Sequence, residues 1–167
     1  MDDVARRKEV FAWFGGATYH AQCFEVELQS LLFLTYRLDH PSAPTSALDD
    51  VDLRLSKQNL GCLLRKLAKH FTLRPEFSDL LNTYREKRNY LMHRFFFDNA
   101  FNLPSAAGCD LMVKELRNLA RTFREADAIA QVMSKHLRKL AGWSEDHVEA
   151  LVRVELEKDT DRDGEVT

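Results

Sequence analysis

Cysteine is scarce in this chain: Cys23, Cys62 and Cys109 are its three thiols. Scattered and odd in number, they exclude a disulfide framework and suggest free thiols in a reducing cytoplasm. No apolar run approaches the roughly 20 residues that a membrane span requires, and the opening MDDVARRKEV lacks the layout of a signal peptide. No stretch alternates apolar and polar residues over strand length, and no segment repeats. A glycine-rich phosphate loop, a G-x-S-x-G elbow and an H-E-x-x-H zinc motif are all missing, which removes the commonest nucleotide-binding, hydrolase and metalloprotease signatures.

Neither sign of charge dominates. Lys and Arg number 24 against 26 Asp and Glu, a net of −2, which argues against a chain that binds nucleic acid along its whole length. The charge is unevenly spread. From Ser144 onward nine acids face three bases, a net of −6, so the body before it is modestly basic and compatible with an anionic ligand. With 167 residues, 45% apolar and 30% charged, the chain can form one globular domain that buries about two-thirds of its unfolded surface.

What is present is helical periodicity. Val10, Trp13, Phe14, Ala17, Ala21, Phe24, Leu28, Leu31 and Leu32 keep steps of three and four, predicting a long first helix over about 4–38. Gly15-Gly16 weakens it locally, at about 1 kcal/mol per glycine. DHPSAPTSALDD (39–50), with two prolines, reads as a loop. A second helix over about 53–71 turns Leu53, Leu60, Leu63, Leu64 and Leu67 inward. Pro75 suits the first turn of a third helix that runs to about Phe96. FDNAFNLPSAAG is a second loop. The fourth helix, about 106–141, carries Met112, Leu116, Leu119, Phe123, Ala126, Ala130, Met133, Leu137 and Leu140 at unbroken steps, and Gly142 ends it. The expectation is an all-α, up-and-down bundle of four to five helices, with long first and fourth helices, whose body covers residues 1–142. A shorter helix (143–158) beginning near SEDH and an acidic tail (159–167) follow.

One residue violates the pattern. Phe77, Leu81, Tyr84, Leu91 and Phe95 make an apolar stripe on the third helix, and Arg88 falls in its middle. Arg85, Asn89 and His93 stand at i, i+4 and i+8 on a separate polar ridge beside Met92 and Phe96. Arg88 is about 140° around the helix from His93. Two structural readings account for these residues. Arg88 can bury its stem and pair with a carboxylate on a neighbouring helix, Glu25 being a candidate, and His93 can favour the helix C-terminus electrostatically. The Arg-x4-His spacing alone carries little, since Arg65-Lys66-Leu67-Ala68-Lys69-His70 has it too. The asparagine directly after Arg88 sets the second instance apart.

Arg88-Asn89-Tyr90-Leu91-Met92-His93 resembles the Arg-(polar)-x3-His signature of HEPN domains, small helical bundles of which many are metal-independent RNases in toxin–antitoxin and other defence systems. The likeness in layout, over about residues 5–140, lies in a long first helix, a motif near the end of a middle helix and another long helix. The resemblance implies Arg88 and His93 as a catalytic pair assisted by Asn89, a homodimer formed across this helix, and an antitoxin-like partner protein. Members with a tyrosine two residues past the histidine differ from this chain, which has Phe95 there.

The residue types fit cleavage of single-stranded RNA without metal or cofactor. A histidine titrating near neutrality can take the 2′-OH proton as that oxygen attacks phosphorus. An arginine can hold the charge that grows on the phosphoryl oxygens, leaving a 2′,3′-cyclic phosphate and a 5′-OH. A second copy would supply the general acid. Arg85, Lys87 and Arg94 are candidate substrate-binding cations around the motif, with Arg65, Lys66 and Lys69 on the preceding helix. The alternative is a non-catalytic HEPN-like module that binds nucleotide, RNA or a protein partner. A third reading is a plain helical interaction protein with Arg88 as an internal ion pair.

Two further patterns are incomplete. DTDRDGEVT (159–167) places Asp159, Asp161, Asp163 and Gly164 in EF-hand register, but the sequence stops before the position-12 glutamate, so it reads as a solvated acidic tail. His20-x2-Cys23 offers two metal ligands where a site needs three or four, and no metal is expected.

Overall fold

The computed structural model describes residues 3–72, 75–144, 146, 149, 150 and 153. Every regular element among them is α-helical: α1 (Asp3–Asp39), α2 (Thr45–Ser56), α3 (Leu60–His70), α4 (Pro75–His93), α5 (Phe95–Asp98) and α6 (Ala106–Leu140). Most of the expected helix over 143–158 and the whole acidic tail, with its EF-hand-like aspartates, lie outside the described residues.

The two longest helices follow their periodicity closely. Val10, Ala17, Ala21, Phe24, Leu28 and Leu31 of α1 are buried, as are Met112, Leu116, Leu119, Phe123, Ala126 and Ala130 of α6. The end of the α6 stripe departs from expectation, for Leu140 is 62% exposed. The Gly15-Gly16 pair does not interrupt α1. Packing along α6 supplies what its two glycines lack in propensity. At the start of α6, Ser105 Oγ accepts a hydrogen bond from the Gly108 backbone N–H at 3.0 Å. At its end Gly142 adopts φ +75°, where the backbone N–H groups of Gly142 and Trp143 reach back to the carbonyls of Lys139 and Arg138.

The region between α1 and α4 corrects the expectation of one helix over about 53–71. Pro44 and Asn59 each stand as a helix N-cap, so the supposed loop is short and the supposed single helix is two. Asn59 Oδ1 accepts from the Cys62 backbone N–H at 3.0 Å, which starts α3 afresh after α2 ends at Lys57 and Asn59 turns to extended geometry. On α2 the buried residues are Val51 and Leu55, and Leu53 is 53% exposed, the reverse of its assigned inward place. This division raises the four helices expected over 1–142 to five, and the single turn α5 makes six among the described residues.

The split also changes the direction of everything after it. α2 folds back from the end of α1, and α3 climbs again until His70 Nδ1 stands 3.9 Å from Asp39 Oδ2, C-terminus beside C-terminus. α4 then runs antiparallel to α1, with Arg88 beside Glu25 and Phe96 beside Phe14. α6 returns parallel to α1, for Arg6 pairs with Asp110 and Glu9 with Arg117. With four helices, the first and last would be antiparallel; the extra turn at Asn59 makes them parallel.

The core falls into two apolar clusters stacked along α1. One gathers Phe24, Leu28, Leu31, Leu63, Leu67, Leu81 and Tyr84; the other gathers Val10, Ala17, Leu91, Phe95, Met112, Leu116 and Phe123.

Candidate functional site

The RNYLMH motif occupies the last turn and a half of α4, and the helix stops on its histidine. Arg94 leaves helical geometry at φ −125°, while its backbone N–H still bonds to the Tyr90 carbonyl at 2.8 Å. The third helix thus ends three residues before the expected Phe96. Its ending is fixed by aromatic packing: Phe95 is fully buried, and its ring contacts those of Phe14, Tyr90 and Phe96. Phe96 packs on Phe14 and Phe11, with centroids 4.8 and 5.5 Å away. Leu81, Tyr84, Leu91 and Phe95 of the predicted stripe are all buried; the side chain of Phe77 lies outside those described.

Arg88 sits on α4 between Tyr84 of one core cluster and Leu91 of the other. Its Nε donates to Glu25 Oε1 at 2.6 Å, and the two side chains are 23% and 17% exposed. The charge on the apolar stripe is therefore answered by a charge on α1, at the level where the two clusters meet. Such a short charge-assisted bond offsets much of the desolvation that a lone guanidinium would suffer there.

The six residues picked out by sequence fall on several faces. Asn89 and His93 are exposed on the outer ridge of α4, and Met92 beside them is 39% exposed. Arg85 is half-buried, with its stem passing near Gly61 at the start of α3. Lys87 points the other way, its Nζ donating to Thr122 Oγ1 of α6 at 3.2 Å. Arg94 is engaged at the helix break, bonded to Asp98 at 2.8 Å with its guanidinium 4.9 Å from the Phe97 ring centroid. Asn89 and His93 thus share one surface with Arg85. Lys87 and Arg94 are committed elsewhere, and Arg88 is held in the seam between α1 and α4.

A polar network on the far side of α4 escaped the sequence reading. Asn99 is 7% exposed, and its Nδ2 shares its two hydrogens among the Phe95 carbonyl at 3.0 Å, Tyr90 Oη at 3.3 Å and Glu115 Oε2 at 3.4 Å. Asn102 Nδ2 completes it by donating to Asn99 Oδ1 at 2.7 Å. Burial and then the hydrogen bond and charge of Glu115 push the Tyr90 phenol up to about 12. An open groove of about 400 Å³ runs beside it, lined by Glu86, Lys87, Tyr90, Glu115, Asn118 and Leu119. Nothing in the sequence ties Tyr90, Asn99 and Glu115 into a motif; their meeting depends on the 99–105 turn that brings α6 back along α4.

The chain matches no protein-family model, no curated protein and no solved structure.

Among the described residues no group of three or more His, Cys, Asp and Glu stands together as a metal site. None of the described helices is long and apolar enough to cross a membrane.

Proposed function

We propose that the chain is a HEPN-like helical module that acts by association, with a second copy of itself docked on the α1–α4 face, and that Arg88 is the internal brace of that face. The bond from Arg88 Nε to Glu25 Oε1 carries this reading, because it commits the motif's cation to a carboxylate of the same chain. Next to the brace lies a mixed strip. Phe11 is 53% and Met92 39% exposed, Phe96 is half-buried against Phe11, and the ridge of Arg85, Asn89 and His93 runs along the same face of α4 as Met92. Aromatic, methionine and arginine side chains ringed by polar groups have the composition of a protein interface. Two antiparallel helices side by side can also meet their own image about a twofold axis, with each patch facing its copy.

A second reading, metal-independent endoribonuclease, is favoured by the exposure of Asn89 and His93 on one ridge. In a twofold dimer across α4 the two His93 rings approach each other. One takes the proton of a 2′-OH as that oxygen attacks phosphorus, and the other protonates the departing 5′-oxygen. In this reading Glu25 orients Arg88 toward the phosphoryl oxygens while the pair remains formed.

Two measurements separate the readings. Analytical ultracentrifugation is expected to find a dimer that Met92→Glu and Phe11→Glu convert to monomer; a wild-type monomer at tens of micromolar overturns the association. Incubation with single-stranded RNA in EDTA is expected to yield no 2′,3′-cyclic phosphate ends. Cleavage by the wild type that His93→Ala abolishes would establish the nuclease in its place.

A further inference from the structure

We propose that a second site, in the pocket where α2 and α3 meet the C-terminal half of α1, binds a small organic phosphate: a dianionic head carrying an apolar body. The site is separate from the α1–α4 face and independent of the function proposed for it.

The pocket encloses about 360 Å³, within the range of small-molecule sites. Its floor is apolar, formed by Leu32, Val51 and Leu55, all buried. Tyr36 forms one wall. The Tyr36 ring is held by stacking on His40, with centroids 4.3 Å apart and an interplanar angle of 17°. The rim is cationic: Arg54 from α2, and Lys66, Lys69 and His70 from α3.

No acid lines this pocket, although the chain as a whole is net negative. Lys66 and Lys69 form no ion pair among the described residues. Lys66 is half-buried where it lines the pocket, and its ammonium has no hydrogen-bond partner or counter-charge among the described residues. Arg54 donates only through Nε, to the backbone oxygen of Asp50 at 3.1 Å, which fixes the guanidinium plane and leaves both Nη groups free. His70 alone has an acid nearby, Asp39 at 3.9 Å.

Like charges gathered without counter-charges repel one another, so an anion at the rim relieves the repulsion it meets. One arginine fork would satisfy a carboxylate. Three or four cationic side chains lining one pocket match the three outer oxygens and double charge of a phosphate monoester. The floor adds what inorganic phosphate cannot use, a dry surface for a ring or chain beside the tyrosine.

The probe is 1-naphthyl phosphate, titrated calorimetrically into the intact chain. One molecule is expected to bind per chain, with inorganic phosphate weaker by roughly tenfold or more and 1-naphthol giving no heat. Lys66→Gln with Lys69→Gln, and separately Arg54→Gln, are expected to weaken the probe roughly tenfold while the far-ultraviolet spectrum and melting temperature stay put. Absence of saturable binding overturns the site, as does binding that these variants leave unchanged. Inorganic phosphate binding as tightly as the probe would reduce the pocket to a surface charge cluster. Displacement of the probe by oligouridylate, lost in the same variants, would replace the small ligand with a polynucleotide backbone.

Discussion

At Gly108, in the first turn of α6, an added methyl group would stand 2.6 Å from Asn102 Cα and closer still to the Asn102 carbonyl oxygen. These are backbone atoms of the turn that Asn99 and Asn102 hold by hydrogen bonds, so they cannot swing aside as a side chain would. Gly15 and Gly16, also helical, have nothing within 4 Å of the same imagined methyl. The residue type is shared and the surroundings decide the sign. Gly108→Ala is expected to destabilise the protein by about 2 kcal/mol or more. Gly15→Ala or Gly16→Ala is expected to stabilise it by about 1 kcal/mol, the helix-propensity difference. Urea denaturation of the three variants checks both signs, and a Gly108→Ala variant as stable as the wild type would show that the turn can yield.

Between elements, the Arg88–Glu25 bond is the one ion pair joining α1 to α4 among the described residues. With roughly a fifth of each side chain still in solvent, water screens it in part, and its loss costs less than that of a sealed pair. Arg88→Ala and Glu25→Ala are each expected to lower stability by about 2 kcal/mol, with a coupling of about 1 kcal/mol in the double-mutant cycle. A coupling near zero would mean that Arg88 does not depend on Glu25 and stands free for another partner. At this scale the sequence was legible wherever one stripe faced one core. The helices now seen as α1, α4 and α6 were all visible in it, and Glu25 was identifiable because it borders the stripe of α1. The break at 57–59 was hidden, for it has neither glycine nor proline and depends on a side chain of Asn59 that reads as an ordinary polar residue. Lys87 was grouped with Asn89 because they are close in sequence, yet two residues turn a helix by about 200° and set them on opposite faces. Arg94 lies past the helix end, where that rule no longer applies.

For the molecule as a whole, the network around Asn99 ties α4, the 99–105 turn and α6 into one unit, and its proton-linked member is Tyr90. Folding raises this phenol from its ordinary 10 to about 12, so the folded state holds the proton more tightly than the unfolded chain does. The resulting stabilisation is complete below pH 10, where both states are protonated, and is lost as pH rises toward 12 and the unfolded chain alone ionises. Tyr84, raised by its own burial and by Glu125, adds in the same direction. Urea midpoints measured below pH 10 and again toward pH 12 are expected to fall for the wild type. In Tyr90→Phe the neutral-pH midpoint drops, since Asn99 and Glu115 lose a hydrogen-bonding neighbour at a cost of about 1 kcal/mol, but the alkaline decline becomes shallower. Other groups that titrate there, the lysines above all, are common to both proteins, so the difference between the two slopes belongs to Tyr90. Equal slopes would mean that the phenol ionises as easily in the folded protein as in the unfolded chain, and that Glu115 exerts no hold on it.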